Sequence, residues 1–105
     1  MNNNYIEKEE LVKEWEKWRD SGDKPETRTI SERLGEMIYL IAVKLLTKRH
    51  FVRYPQDVKD ELAQEGCLKC IKSLKNIDPK KGSVFAYLTM TCWSAFMNYL
   101  VRYYK

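Results

Sequence analysis

Three thiols and one imidazole carry the metal-binding chemistry of this chain: Cys67 and Cys70 spaced as C-x-x-C, with Cys92 and His50 elsewhere. Together they could hold zinc. The C-x-x-C, however, falls inside an apolar helical pattern and has no second pair beside it. Buried structural cysteines are therefore the expectation, with no metal and no cofactor. There is a single histidine, no nucleophile–base motif and no phosphate-cradling loop, since Gly35, Gly66 and Gly82 stand isolated. No catalytic residue is expected, and the chain reads as a non-enzyme.

Binding chemistry is more plentiful. Gln64 and Glu65 lie one helical turn beyond Glu61, so the three can share one exposed face. Further on, Asp78-Pro79-Lys80-Lys81-Gly82 makes a basic turn, and the segment after it crowds Phe85, Tyr87, Met90 and Trp93 into a stretch with almost no charge.

The elements that must position these residues read as four helices. Residues 5–20 carry Ile6, Leu11, Trp15 and Trp18 near helical spacing, with Asn4 as N-cap and a stop at 21–25. Residues 31–50 show the clearest core face: Leu34, Met37, Ile38, Ile41, Ala42, Leu45 and Leu46. Ser31 or Thr29 caps it, and Lys48, Arg49 and His50 fall in its last turn, where cations favour the helix dipole. Pro55 opens a third helix over about 56–76, where Val58, Leu62, Ala63, Cys67, Cys70, Ile71 and Leu74 supply the buried face. Asp78-Pro79 ends it and Gly82 permits a tight turn. The fourth helix runs from about 84, capped by Ser83. Leu88, Cys92, Ala95, Phe96 and Tyr99 mark one apolar face; Met90, Trp93, Met97 and Leu100 mark another, which must be buried too or offered to a partner. No segment alternates with a period of two, so the fold class is all-α, a compact four-helix domain. It spans 1–105, with an N-terminal helix and linker over 1–25 and a three-helix core over 29–105. The nearly inaccessible residues are expected to be Leu34, Ile38, Ile41, Leu45, Leu62, Ile71, Leu74, Leu88 and Cys92.

Composition agrees with a globular protein: 44% of residues are hydrophobic and 32% charged, too apolar for a disordered chain. A formal charge of +4 permits a nucleic-acid partner without requiring one. The longest apolar run, Met37 to Val43, is too short to cross a bilayer, so no membrane partner is expected. The N-terminus is polar and acidic, unlike a signal peptide. An odd number of cysteines without an export signal suits reduced thiols and a cytoplasmic location.

The stretch "ELAQEGCLKCIKSLKNIDPKKG" (61–82) resembles region 2 of bacterial sigma factors. There an acidic-Leu-x-Gln-Glu-Gly helix is followed by an aromatic or aliphatic residue, Asp-Pro, two polar residues and Gly. A narrower resemblance runs over nearly the whole chain: "AYLTMTCWSAF" (86–96), "LIAVKLLTKRHF" (40–51) and the tryptophan-bearing first helix are similar to the late-transcription sigma factors of T-even-type bacteriophages. The chain departs from the common sigma pattern in two places. It is one residue shorter between Asp78 and the first tyrosine. It also lacks the adjacent tryptophan pair, with Met90 and Thr91, or Thr91 and Cys92, in its place.

The resemblance implies partners and roles. Glu61, Gln64 and Glu65 would dock on the clamp helices of the β′ subunit of a bacterial RNA polymerase core. Phe85, Tyr87 and Trp93 would stack on unpaired bases of a −10-type promoter element, where each stacked base contributes roughly 1–3 kcal/mol; as helical aromatics they could equally be core. Lys80, Lys81, Arg102 and Lys105 would contact flanking promoter DNA phosphates. The phage late class relies on the replication sliding clamp and a late coactivator, reached through a C-terminal clamp-binding tail, whereas this chain stops at "VRYYK". The competing reading is a helical docking module, such as an anti-sigma or appropriation factor, that touches polymerase or another partner but not DNA. A duplex-reading helix-turn-helix ranks third, for want of a short polar recognition helix. Exposure of Tyr87 or Trp93 beside a basic rim separates the first two, since a docking module would bury both.

Overall fold

The computed structural model describes residues 6–24 and 27–103. Four helices follow in order: α1 (Lys8–Arg19), α2 (Glu32–Leu45), α3 (Gln56–Ser73) and α4 (Val84–Tyr103). A 3-10 turn, Leu74–Asn76, continues α3. The described residues contain no strand, and the fold is the expected all-α domain.

Local chemistry sets most of the boundaries. Ser31 caps α2, accepting a 3.0 Å hydrogen bond from the Leu34 amide, and its hydroxyl donates to Glu14 Oε1 at 2.7 Å. One residue thus starts α2 and fastens it to α1. Ser83 caps α4 by accepting from the Ala86 amide at 3.1 Å. Asp78 closes the basic turn, its carboxylate accepting from the Lys80 amide and its carbonyl from the Lys81 amide. Gly82 takes no left-handed conformation, and a Cβ there would meet nothing within 4 Å. The expected need for glycine's freedom in this turn is therefore corrected: Asp78 makes the turn.

Helix α2 stops at Leu45, five residues before the periodicity predicts. The Thr47 and Lys48 amides bond to the carbonyls three residues back, and the Thr47 hydroxyl donates to the Lys44 carbonyl at 2.6 Å. These bonds tighten the chain into turns. Lys48, Arg49 and His50 consequently ride on an exposed turn instead of a helix end. That turn drops Phe51 into the core, where its ring meets Phe96 edge-on at 5.2 Å. Helix α1 begins at Lys8 with Glu7 as N-cap; Asn4, Pro25 and Lys105 lie outside the described residues.

Helices α3 and α4 form the central pair, α2 packs on both, and α1 lies across α2 and α4. The core joins Leu11, Trp15 and Trp18 to Leu34, Ile38, Ile41, Leu62, Leu74, Leu88, Cys92 and Phe96. The Trp15 indole donates to the Leu74 carbonyl at 3.0 Å inside this core, satisfying both groups and tying α1 to the end of α3. Two expected core residues are not there. Leu45 is only partly buried, and Ile71 is exposed at 38%. The buried stripe of α3 is Leu62, Gly66, Cys70 and Leu74 with Ala63, each step a full turn, and Ile71 falls about 100° to its side. Helix α4 does reach the length and apolarity of a membrane span, although the run Met37–Val43 does not. Here Val84, Leu88, Cys92, Ala95, Phe96 and Leu100 close its apolar stripe inside the bundle.

Candidate functional site

Glu61 and Gln64 are exposed and Glu65 half-buried, all on the side of α3 turned away from Leu62, Gly66 and Cys70. Gln64 borders an open groove of about 530 Å³ between α3 and α2, with Tyr39, Asp60 and Leu68. Glu61 and Glu65 lean toward α4. There partial burial, the charges of Glu61, Glu65 and Asp57, and the neighbouring Tyr103 hold the Tyr99 phenol above its ordinary range. The face is more apolar than the sequence reading assumed, because Tyr39 (53% exposed), Leu68 (53%) and the misassigned Ile71 belong to it. Leu68 was findable: it sits one turn beyond Gln64, on the solvent side of the stripe that contains Leu62 and Gly66.

On α4 the expected DNA-facing residues separate. Tyr87 is half-buried and lines two adjoining grooves. One, of about 330 Å³, also takes in Lys69, Met90, Thr91, Ser94 and Asn98. The other, of about 240 Å³, runs to Asp78, Lys81 and Gly82. Lys81 lines this second groove, Lys80 is exposed beside it in the turn, and Arg102 is exposed near the far end of the helix. Met90, 71% exposed, stands between the grooves as an unpartnered apolar side chain. Ser94, Asn98 and Lys69 were not expected. The spacing 87, 90/91, 94, 98 is itself a helical stripe, legible once Leu88, Cys92 and Phe96 are assigned to the core.

Trp93 is not part of that stripe. Six residues from Tyr87 turn it about 120° away. It remains 37% exposed, with its ring 4.9 Å from His50 and 5.0 Å from Phe51. Phe85 faces a third way: it is half-buried, and Lys8 Nζ of α1 lies 5.1 Å from its ring centroid. The geometry thus unites Tyr87 with Lys81, sets Trp93 on the opposite flank, and gives Phe85 a packing role against α1.

The thiols are interior. Cys70 and Cys92 are buried with their Sγ atoms 3.4 Å apart, and Cys70 also contacts the Leu88 carbonyl. The contact with Cys92 and burial hold the Cys70 thiol far above its usual range; burial pushes the half-buried Cys67 thiol up to about 11. His50 packs on aromatic rings across the turn. Among the described residues no group of His, Cys, Asp and Glu is gathered for a metal ion.

The model of one protein family, sigma-70 region 2, matches residues 32–104, which takes in α2, α3 and α4 and leaves α1 outside. Comparison with curated proteins and with solved structures finds no match.

Proposed function

The chain belongs to the sigma-70 region 2 family, whose domains bind RNA polymerase and take part in promoter recognition without catalysing a reaction, and from that premise we propose that it is a late-transcription sigma factor of the T-even phage type. In this reading it acts in the cytoplasm of a bacterial host. Glu61, Gln64 and Glu65 dock on the β′ clamp helices, and Tyr87 with Lys80, Lys81 and Arg102 engages the melted −10-type element. Trp93 makes a separate contact from the other flank of α4. A clamp-binding tail would recruit the sliding clamp and the late coactivator.

One observation carries the DNA part of this reading. The outer face of α4 keeps Tyr87, Met90 and Trp93 accessible, with Lys69 and Lys81 around Tyr87. A soluble bundle gains nothing from leaving such a face open, whereas unpaired bases need aromatic and apolar surface beside cations. The docking-module alternative calls for Tyr87 and Trp93 to be packed away, whereas Tyr87 is half-buried and Trp93 is 37% exposed. The phage-late part rests on the resemblance of "AYLTMTCWSAF" and of the flanking helices. The test is transcription by the host core polymerase on a supercoiled template carrying an AT-rich −10-like box. Initiation at that box only when the protein is added supports the reading. Stable core binding with no initiation would favour the docking module.

A further inference from the structure

The turn between α2 and α3 carries Lys48, Arg49, His50 and Arg53 with no acidic residue among them. All four are exposed. None forms a salt bridge among the described residues, whereas Arg19 and Arg33 are each paired with a carboxylate. Lys48, Arg49 and Arg53 thus put three exposed cations on one short turn of a chain whose net charge, with His50 neutral, is +4.

The turn is also held firmly. Phe51 is fully buried, wedged edge-on against both Phe96 and Trp93. The Phe51 and Val52 amides both donate to the Lys48 carbonyl at 2.9 Å. Its cations therefore project from a fixed backbone, which lowers the cost of ordering them on a ligand. The His50 ring lies tilted, 4.9 Å from the exposed Trp93 ring, so the cationic turn and the aromatic flank of α4 adjoin.

We infer that this turn, Lys48–Arg53, is a second nucleic-acid contact that grips the sugar–phosphate backbone of DNA on the Trp93 flank of α4. The inference rests on the DNA-engaging reading of α4 and extends it. The strand would cross the α4 ridge at Met90 between two basic rims, Lys80 and Lys81 on one side and Lys48–Arg53 on the other. Tyr87 and Trp93 are about 9 Å apart along the helix axis. Two rims on either side of the ridge would fix the direction of the strand as well as its position.

The experiment measures promoter-complex formation by the holoenzyme as a function of salt. Each phosphate contact contributes about 0.9 to the slope of log K against log salt for duplex DNA, and about 0.7 for single strands. Arg49→Ala with Arg53→Ala should lower the magnitude of that slope by about one to two, weaken promoter binding at physiological salt, and leave core-polymerase binding unchanged. Lys13→Ala, on the exposed face of α1, should leave the slope as it is. A wild-type slope and affinity for the arginine double variant, with Tyr87→Ala and Lys81→Ala still weakening the complex, would overturn the second contact and leave the first standing. If neither set of variants changes promoter binding at equal core occupancy, the DNA-engaging reading fails and this inference fails with it.

Discussion

Gly66 of α3 lies directly against the ring of Phe96 in α4: a Cβ on Gly66 would stand 2.8 Å from Phe96 Cε1 and 3.3 Å from Cys92 Sγ. The glycine of the Gln64-Glu65-Gly66 motif therefore lets two helices approach, while its neighbours face outward. The Phe96 ring cannot swing aside, because it is fully buried and Phe51 closes its other side. Gly66→Ala gains up to about 1 kcal/mol of helix propensity, but forcing the overlap costs about 1–3 kcal/mol. A net loss of stability is expected in urea denaturation. A midpoint equal to or above the wild type would mean that the α3–α4 contact can open.

The core is ranked by the contrast between Ile41 and Ile71. Ile41 is 3% exposed in the centre of α2, so Ile41→Ala should destabilise by about 2–5 kcal/mol through lost burial and a cavity. Ile71, which the hydrophobic pattern also assigns to the core, is open to solvent. Ile71→Ser should cost clearly less, roughly 1 kcal/mol, from the part of the side chain that is covered. Comparable losses for the two variants in chemical denaturation would refute this placement of α3.

That pair also marks what was legible in the sequence and what was not. The four helices, the caps at Ser31 and Ser83 and most of the core follow from apolar spacing, because a stripe such as Leu34, Ile38, Ile41 has one consistent face. Helix α3 is harder: it is amphipathic only weakly, and Ile71 looks like core until Gly66 is known to lie under Phe96. Periodicity does not encode that a glycine, having no side chain, sits at the closest approach. The early end of α2 was hidden for a similar reason, since Leu45 and Leu46 continue the pattern while Thr47 and the burial of Phe51 break the helix. For the candidate site, residue types pick out the carboxylates of α3 and the aromatics of α4. They did not separate Tyr87 from Trp93 and Phe85, which requires the rotation of α4 to be fixed by its neighbours.

The junction of α1 and α2 should be sensitive to acid. The Arg33 guanidinium hydrogen-bonded to Glu10, and the Ser31 hydroxyl hydrogen-bonded to Glu14, hold these two carboxyls below the ordinary 4.5. The folded state thus binds these protons less readily than the unfolded state. The associated stability is complete above pH 4.5 and is lost as pH falls through the depressed folded values. Ser31→Ala removes both the α2 cap and the bond to Glu14, and should cost about 1 kcal/mol at pH 7. The difference from wild type should narrow below pH 4.5 without vanishing, since the cap bond to Leu34 does not titrate. A gap that is constant from pH 7 to pH 3 would remove Glu14 from this account.

The exposed carboxamide and carboxylate of α3 give a test of docking. Gln64→Ala with Glu65→Lys changes no fully buried side chain, so the domain should stay folded by circular dichroism. Placing a cation against a basic docking surface costs roughly 2–5 kcal/mol when the pair is desolvated, and core-polymerase binding should fall accordingly in a co-purification or titration assay. Retention on core polymerase equal to wild type would move the docking face elsewhere, with the Tyr99–Tyr103 pair, 5.0 Å apart on α4, as the nearest alternative.

Tyr87 should act after docking. It packs half-buried against the rim of the core, lines both grooves and shares one of them with Lys81. Tyr87→Ala should leave the domain folded and core binding intact while reducing promoter opening by about 5- to 150-fold, the equivalent of roughly 1–3 kcal/mol for one lost base stack. A pre-melted template should restore part of the loss, because it removes the cost of unpairing but not the missing ring. Trp93→Ala should show a separate, additive defect, since about 120° of helix rotation and the Met90 ridge lie between the two rings. Permanganate reactivity of the −10 thymines, read at matched holoenzyme occupancy, reports opening directly. Equal reactivity for wild type and Tyr87→Ala would reduce this ring to a packing residue and return the domain to the docking-module reading.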